Sequence, residues 1–183
     1  MKPGPAVRDC TRADLPEVRE IYALEVREGT ASFELEPPSL AEMTARFAAI
    51  EAAGLPYLVA ELDGLVAGYA YASPYRPRPA YRYTVEDSVY VARFARRQGI
   101  GRALLDAVIE RATAQGLRQM VAIVGDSAHL ASVELHRRAG FRVVGTLERV
   151  GWKFGRWLDT VIMQRPLGAG AATAADVGTE RPA

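Results

Sequence analysis

The chain has 183 residues, 49% hydrophobic and 25% charged, the proportions of one globular domain large enough to bury a core. A formal net charge of +1 creates no global field for nucleic acid or an anionic membrane, so neither is an expected partner. Cys10 is the single cysteine, which excludes an intrachain disulfide and a cysteine-based metal cluster, and two histidines without ligand spacing make no metal site.

Met1 to Pro5 lacks an apolar signal core and no apolar run reaches membrane-spanning length, so the expected location is cytoplasmic. Residues 6–10 read as a short strand. Thr11 caps a helix carrying Leu15, Val18, Ile21, Tyr22 and Val26 at helical spacing, with Gly29 at its end. A loop to Pro38 has Phe33 as its apolar centre. Ser39, with Glu42 as a capping box, starts a second helix that Gly54 closes. Residues 57–62 and 65–72 then pair across the Asp63-Gly64 turn. Prolines 74, 77 and 79 precede a strand at about 83–91, and a helix from about Ala103 ends at Gly116. A buried strand at 120–124, a helix at 131–139 and strands at about 142–147 and 157–163 follow. From Gly168 the Gly/Ala/Thr composition predicts a disordered tail.

Arg96-Arg97-Gln98-Gly99-Ile100-Gly101-Arg102 carries the strongest signal, because it joins the β-rich Ser88-Val89-Tyr90-Val91 directly to an apolar helix. Glycines at a helix mouth let backbone N–H groups converge on an anion, and the helix dipole adds positive potential. A pyrophosphate is the expected guest, although the pattern alone also fits an ordinary strand–turn–helix connection. No Walker Gly-Lys-Ser/Thr is present, and a dinucleotide fingerprint would need glycine at Leu104.

Within the order β-α-α-β-β-β-α-β-α-β-β, the spacing of Arg96, Gly99 and Gly101 resembles the acyl-CoA loop of the GNAT acetyltransferase superfamily. Three further segments resemble its phosphinothricin and methionine sulfoximine N-acetyltransferase branch: Gly29 to Glu34 with Pro37, Tyr81 to Val91, and Gly151 to Asp159. The resemblance spans about residues 6–166. It implies an α/β (α+β) fold: a single GNAT domain over 6–166, with a mixed central sheet of about six to seven strands flanked by helices, then a tail over 167–183. It also implies acetyl-CoA as co-substrate, a small glutamate-like amino acid as acceptor, and a homodimer with the acceptor site close to the subunit interface.

Acetyl transfer to an amine needs a base, and Glu86 is the expected one, just upstream of the cofactor loop. Strand alternation sends Asp87 to the other face. Composition alone is equally compatible with an exposed strand carboxylate at Glu86. His136 lies four residues before Gly140, where many GNAT enzymes carry a tyrosine that protonates the coenzyme A thiolate. An imidazole can donate there at neutral pH, or can simply be satisfied on a helix face.

By the same resemblance, the Val89, Tyr90 and Val91 backbone pairs with the pantetheine arm. Arg97, Gly99, Gly101 and Arg102 surround the pyrophosphate, Gln98 and Ile100 complete the loop, and Arg96 either joins them or solvates the loop. Ser132 adds a hydroxyl. His129, in Ala128-His129-Leu130-Ala131-Ser132, replaces an asparagine whose amide commonly contacts the cofactor arm. For the acceptor, Arg76, Arg78 and Arg82 with Tyr83 suit a carboxylate or phosphinate, unless they form a solvated loop, and Phe33 belongs to the acceptor loop. Trp152, Phe154 and Trp157 are assigned to packing rather than to a subunit interface. Competing readings keep the fold but change the acceptor to a protein N-terminus or polyamine, or make the chain a non-catalytic acyl-CoA-binding module. An arginine-rich acceptor loop opposes the polyamine, and Glu86 beside an intact loop opposes the module.

Overall fold

A computed structural model describes residues 5–175. Strand β1 (Ala6–Asp9) leads through a single 3-10 turn at Arg12–Asp14 into helix α1 (Leu15–Glu28). Arg8 ties that junction together, reaching both Asp14 oxygens at 2.8 Å and Glu61 at 2.5 Å. The Arg8 guanidinium holds the Asp14 carboxyl well below the usual carboxylate range. Nearby Cys10 is buried, and burial pushes its thiol up to about 12, which suits packing rather than nucleophilic work.

Helix α2 (Leu40–Ala52) begins at Ser39, whose hydroxyl accepts the Glu42 N–H at 3.1 Å. The reciprocal half of the expected capping box gives way to an ion pair, because Glu42 turns to Arg46 at 2.5 Å. Strands β2 (Tyr57–Leu62) and β3 (Leu65–Pro74) close over Asp63 and Gly64, whose φ values of 53° and 80° are those a two-residue hairpin demands.

The remaining elements are β4 (Thr84–Val91), α3 (Ile100–Ala114), β5 (Gln119–Gly125), α4 (Leu130–Arg138), β6 (Arg142–Lys153) and β7 (Arg156–Pro166). Helix α3 starts three residues earlier than the spacing predicts, because Ile100 is itself a core residue. Strands β6 and β7 run beyond their expected ends to a tight turn at Phe154-Gly155. A register shift between Leu147 and Gly151 hides the continuation of β6 from any period-two pattern.

One sheet holds the seven strands in the order β1-β2-β3-β4-β5-β7-β6, antiparallel everywhere except between β4 and β5. Tyr57, Tyr69, Tyr71 and Tyr90 stack along one face, where Tyr90 meets Tyr22 of α1 and Tyr57 meets Phe47 of α2, each at 5.1 Å. Helices α3 and α4 cover the other face, α3 through Ile100, Leu104, Leu105 and Val108. The expected mixed sheet flanked by helices is therefore present.

The chain stays packed past 166. Leu167 is fully buried, Gly170 N–H closes on its carbonyl at 2.8 Å, and Arg118 holds Thr173 and Ala174. Glycine-rich composition gave no hint of those anchors, so the predicted tail begins too early. Residues 1–4 and 176–183 lie outside the described region.

Leu104 is completely buried beneath β3. Leu104→Ala should cost about 2–5 kcal/mol of unfolding free energy. Leu65→Ala, at 55% exposure, should stay within about 0.5 kcal/mol, both read by urea denaturation.

Candidate active site

Strands β4 and β5 pair only where Thr84–Asp87 meets Gln119–Ala122, yet β4 runs on to Val91 and β5 to Gly125. Past Asp87 and Ala122 the two strands part. Their facing backbone groups then border a gap instead of each other. Ser88, Val89 and Tyr90 line one side of that gap and residues 122–125 the other, with His129, Ser132 and His136 from α4. Val91 continues the β4 edge toward the helix mouth.

At that mouth Arg97 and Gly99 take left-handed φ values of 61° and 81°. Ala103 N–H makes the first bond back into α3, to Gly99 at 3.0 Å, so the amides of Ile100, Gly101 and Arg102 precede the helical ladder. Positive potential and convergent donors suit an anion there. The loop residues then divide. Arg97 has no side-chain partner among the described residues, while Arg96 is drawn off to Glu25. Arg102 bonds Asp106 at 2.5 Å and the Arg138 carbonyl at 2.8 Å, and Gln98 donates to the Phe94 carbonyl at 2.9 Å. Ile100 offers the loop only its amide, since its side chain is in the core.

Glu86 and Asp87 lie on opposite faces, as alternation predicts. Glu86 stands opposite Ser73 on the α1/α2 side. Burial, then the Asp87 charge, raises its pKa above the ordinary 4.5, with Arg76 pulling the other way. A carboxylate so placed is a stronger base than an exposed one. Asp87, on the α3/α4 side, is 5% exposed and bonds His136 Nε2 at 3.0 Å.

His136 is also 5% exposed, and its Nδ1 lies 2.7 Å from the Ser132 carbonyl oxygen. Burial alone would lower its pKa. The Asp87 hydrogen bond and charge, with the Ser132 carbonyl, outweigh that and raise it above 6.5. His129 sits at the mouth of α4 with its Nδ1 buried and without a hydrogen-bond partner among the described residues. The Ser132 hydroxyl lies 3.5 Å from His136 Nδ1.

The loop 29–38 is clamped from several elements. Lys153 of β6, 3% exposed, donates to the Ser32 carbonyl at 2.7 Å. Tyr22 hydroxyl donates to Glu34 at 2.9 Å, which leaves the Ser32 hydroxyl to donate to Tyr22 at 2.8 Å. Arg46 of α2 binds Glu34 at 2.7 Å. Phe33 lays its ring against Gly125 and Gly151, where any Cβ would collide with it. Its visible work is thus to seat the loop. The residue types of this clamp are ordinary for a fold, and no local pattern singled them out.

The basic loop also divides. Arg76 acts on Glu86, whereas Arg78 is exposed and Arg82 rests over the Tyr83 ring at 4.8 Å. Tyr83 borders a different groove, beside Arg118 and Leu167. Trp152 of β6, Trp157 of β7 and Phe154 in the turn between them are 55–57% exposed, which overturns their assignment to packing. Strand β6 is the sheet edge, so nothing in the sheet lies beyond them.

A glycine-punctuated, basic helix mouth after β4 is what the GNAT resemblance implied, and the structure adds the parting of β4 and β5 above it. The sequence profile of the Acetyltransferase (GNAT) family matches residues 17–141, and the chain belongs to that family. It is an N-acetyltransferase. The chain is 58% identical over 160 residues to phosphinothricin N-acetyltransferase of Alcaligenes faecalis, covering 87% of this chain and 81% of that protein. It is 47% identical to the L-methionine sulfoximine/L-methionine sulfone acetyltransferase of Pseudomonas paraeruginosa, covering 87% and 92%. A GNAT superfamily phosphinothricin acetyltransferase from Sinorhizobium meliloti, solved in complex with AcCoA, superposes with a TM-score of 0.93 at 49% identity, covering 96% of this chain and 95% of that one.

Gly151→Ala tests the seat of Phe33. The added methyl should cost about 1–3 kcal/mol and speed proteolytic cleavage within residues 29–38, followed by limited digestion. Unchanged cleavage would deny the clamp.

Proposed function

We propose that the chain transfers the acetyl group of acetyl-CoA to the α-amine of a small glutamate-like amino acid such as phosphinothricin or methionine sulfoximine. The observation that carries this reading is Glu86, a partly buried carboxylate with raised proton affinity beside the parting of β4 and β5. The relatives' activities support the acceptor class.

Acetyl-CoA supplies an activated carbonyl. The β4 edge at Val89–Val91 suits its amide-rich arm, and the amides of Ile100–Arg102, with Arg97, suit its pyrophosphate. His129 Nδ1, buried without a partner, can serve the arm in place of an asparagine amide. Glu86 removes the proton that keeps the acceptor nitrogen unreactive. Arg76, beside Glu86, suits the acidic group of such an acceptor, with Arg78 and Arg82 on the rim. His136, in the wall of the gap, serves the leaving thiolate. A second copy of the chain covers the exposed Trp152, Phe154 and Trp157 face, since so large an apolar patch is unusual on a monomer. A cytoplasmic location belongs to the same reading.

A thiol-release assay with acetyl-CoA decides the reaction. Phosphinothricin, methionine sulfoximine and methionine sulfone should give saturable turnover, and spermidine should not. Turnover with spermidine alone would overturn the acceptor class.

Glu86→Gln should lower kcat by about 10²–10⁴-fold while leaving acetyl-CoA affinity intact. The base works only when ionised, so wild-type kcat should fall as pH drops through a value above 4.5. That limb should vanish in Glu86→Gln. Light scattering should return twice the chain mass, and Trp152→Glu with Trp157→Glu should return it to one.

A further inference from the structure

Asp87 has no part in the reaction as read above, yet it is one of the few charges buried within the sheet, at 5% exposure. Its Oδ2 is 3.0 Å from His136 Nε2, while its Oδ1 is buried with no hydrogen-bond partner among the described residues. A carboxylate in that setting is strongly disfavoured unless a positive charge faces it.

Proton bookkeeping supplies the charge. His136 Nδ1 faces the Ser132 carbonyl oxygen at 2.7 Å, and a carbonyl can only accept, so Nδ1 carries hydrogen. Nε2 faces a carboxylate oxygen, so a second proton lies between ring and carboxylate. The pair therefore holds one proton more than a neutral ring beside an ionised carboxylate. Both residues border the gap between β4 and β5.

Neighbouring elements offer little competition. β5 presents only residues 122–125, none ionisable, and Phe141 presents a ring to His136 at 5.1 Å. Arg165 of β7 lies over the Phe141 ring at 5.9 Å. His129 shares the gap, and Glu86 stands across β4 with Arg76.

We propose that Asp87 is a positioning residue for acetyl transfer: through Oδ2···Nε2 it keeps His136 doubly protonated in the wall of the gap, charged to protonate the departing thiolate. The meaning of this step rests on the acetyltransferase reading. The acceptor nitrogen's lone pair forms the N–C bond and Glu86 takes its proton. The C–S bond breaks and sulfur keeps the electron pair. The proton that Nε2 shares with Asp87 Oδ2 then passes to sulfur, directly or through one water, and the ring is left neutral with hydrogen on Nδ1, to be recharged from solvent. Raised proton affinity of the ring agrees with this assignment.

Asp87→Asn separates charge from shape, because an amide can still donate to Nε2 while removing the reason for its proton. With only two histidines in the chain, nitrogen-15 NMR of the imidazoles is readily assigned through His136→Phe. Wild-type His136 should keep both nitrogens protonated at pH values where an ordinary histidine is neutral, and Asp87→Asn should leave Nε2 bare at pH 7. In kinetics, kcat should fall about 10–100-fold, in the range of a weakened general acid. Its alkaline limb should move to lower pH, with KM for acetyl-CoA and thermal midpoint little changed. An active Asp87→Asn enzyme with an unchanged pH profile, or an Nε2 that titrates identically in both proteins, would overturn the proposal. Should Asp87→Asn not fold, the wild-type titration decides alone: loss of the Nε2 proton at the ordinary histidine value sinks it. Absence of turnover by wild type with every amine would sink the acetyltransferase reading instead, and the NMR result would still decide the pair.

Discussion

Everything at the site follows from the one parallel pairing in the sheet and from how soon it ends. Antiparallel neighbours hold β4 and β5 from outside, β3 on one flank and β7 on the other, so each strand keeps its extended form after they separate. Backbone groups that would be costly to bury unpaired are thus held in place along a gap. Helix α3 begins where β4 leads, and α4 begins where β5 ends, so both helix mouths open on the same side. The parting of two strands makes the cleft, the amide row and the anion-binding mouth at once.

Strand alternation divides the chemistry across that gap. Adjacent carboxylates at 86 and 87 would interfere if they shared a face, and their coupling persists through the raised proton affinity of Glu86. Placed on opposite faces, they acquire different partners. Glu86 sees Arg76 and the tyrosine-lined α1/α2 side, where a base with access to an acceptor is useful. Asp87 meets His136 on the opposite face, in a buried pair. Two residues of the same chemistry acquire a raised proton affinity on one face and a histidine partner on the other through environment alone.

Much of this was legible in the sequence, and the parts that were not share a cause. Periodicity and capping residues located most elements because each signal is local: Gly29, the Asp63-Gly64 turn and Gly140 all mark ends correctly. The glycine loop was legible for the same reason and alternation assigned Asp87 its face, whereas Glu86 was singled out only through the family resemblance. His136 was singled out by the family resemblance alone, and the structure places it in the wall of the gap. What stayed hidden depends on meetings between distant segments: Asp87 with His136, Lys153 with Ser32, Phe33 on Gly151. The exposure of Trp152 and Trp157 was hidden too, because an apolar cluster on an edge strand reads like one in a core.

On the proposed reading, the clamp on residues 29–38 gives the acceptor site one fixed wall. Tyr22, Arg46, Lys153 and the Phe33 ring come from α1, α2, β6 and the loop itself, so the loop's position is overdetermined. Lys153 is held in its buried place by a carbonyl, and burial lowers its proton affinity against the pull of Glu25 and Glu34. A loop fixed in this way presents a preorganised wall, so discrimination between acceptors falls to the charges that remain free to meet them. Those are the arginines of the stiff, proline-rich loop beside Glu86, while Glu34 is already satisfied by Arg46 and Tyr22. On the proposed reading, cations on the rim against an internally paired Glu34 favour an acidic acceptor over a basic one, and the preference comes from which charges the fold has already spent internally.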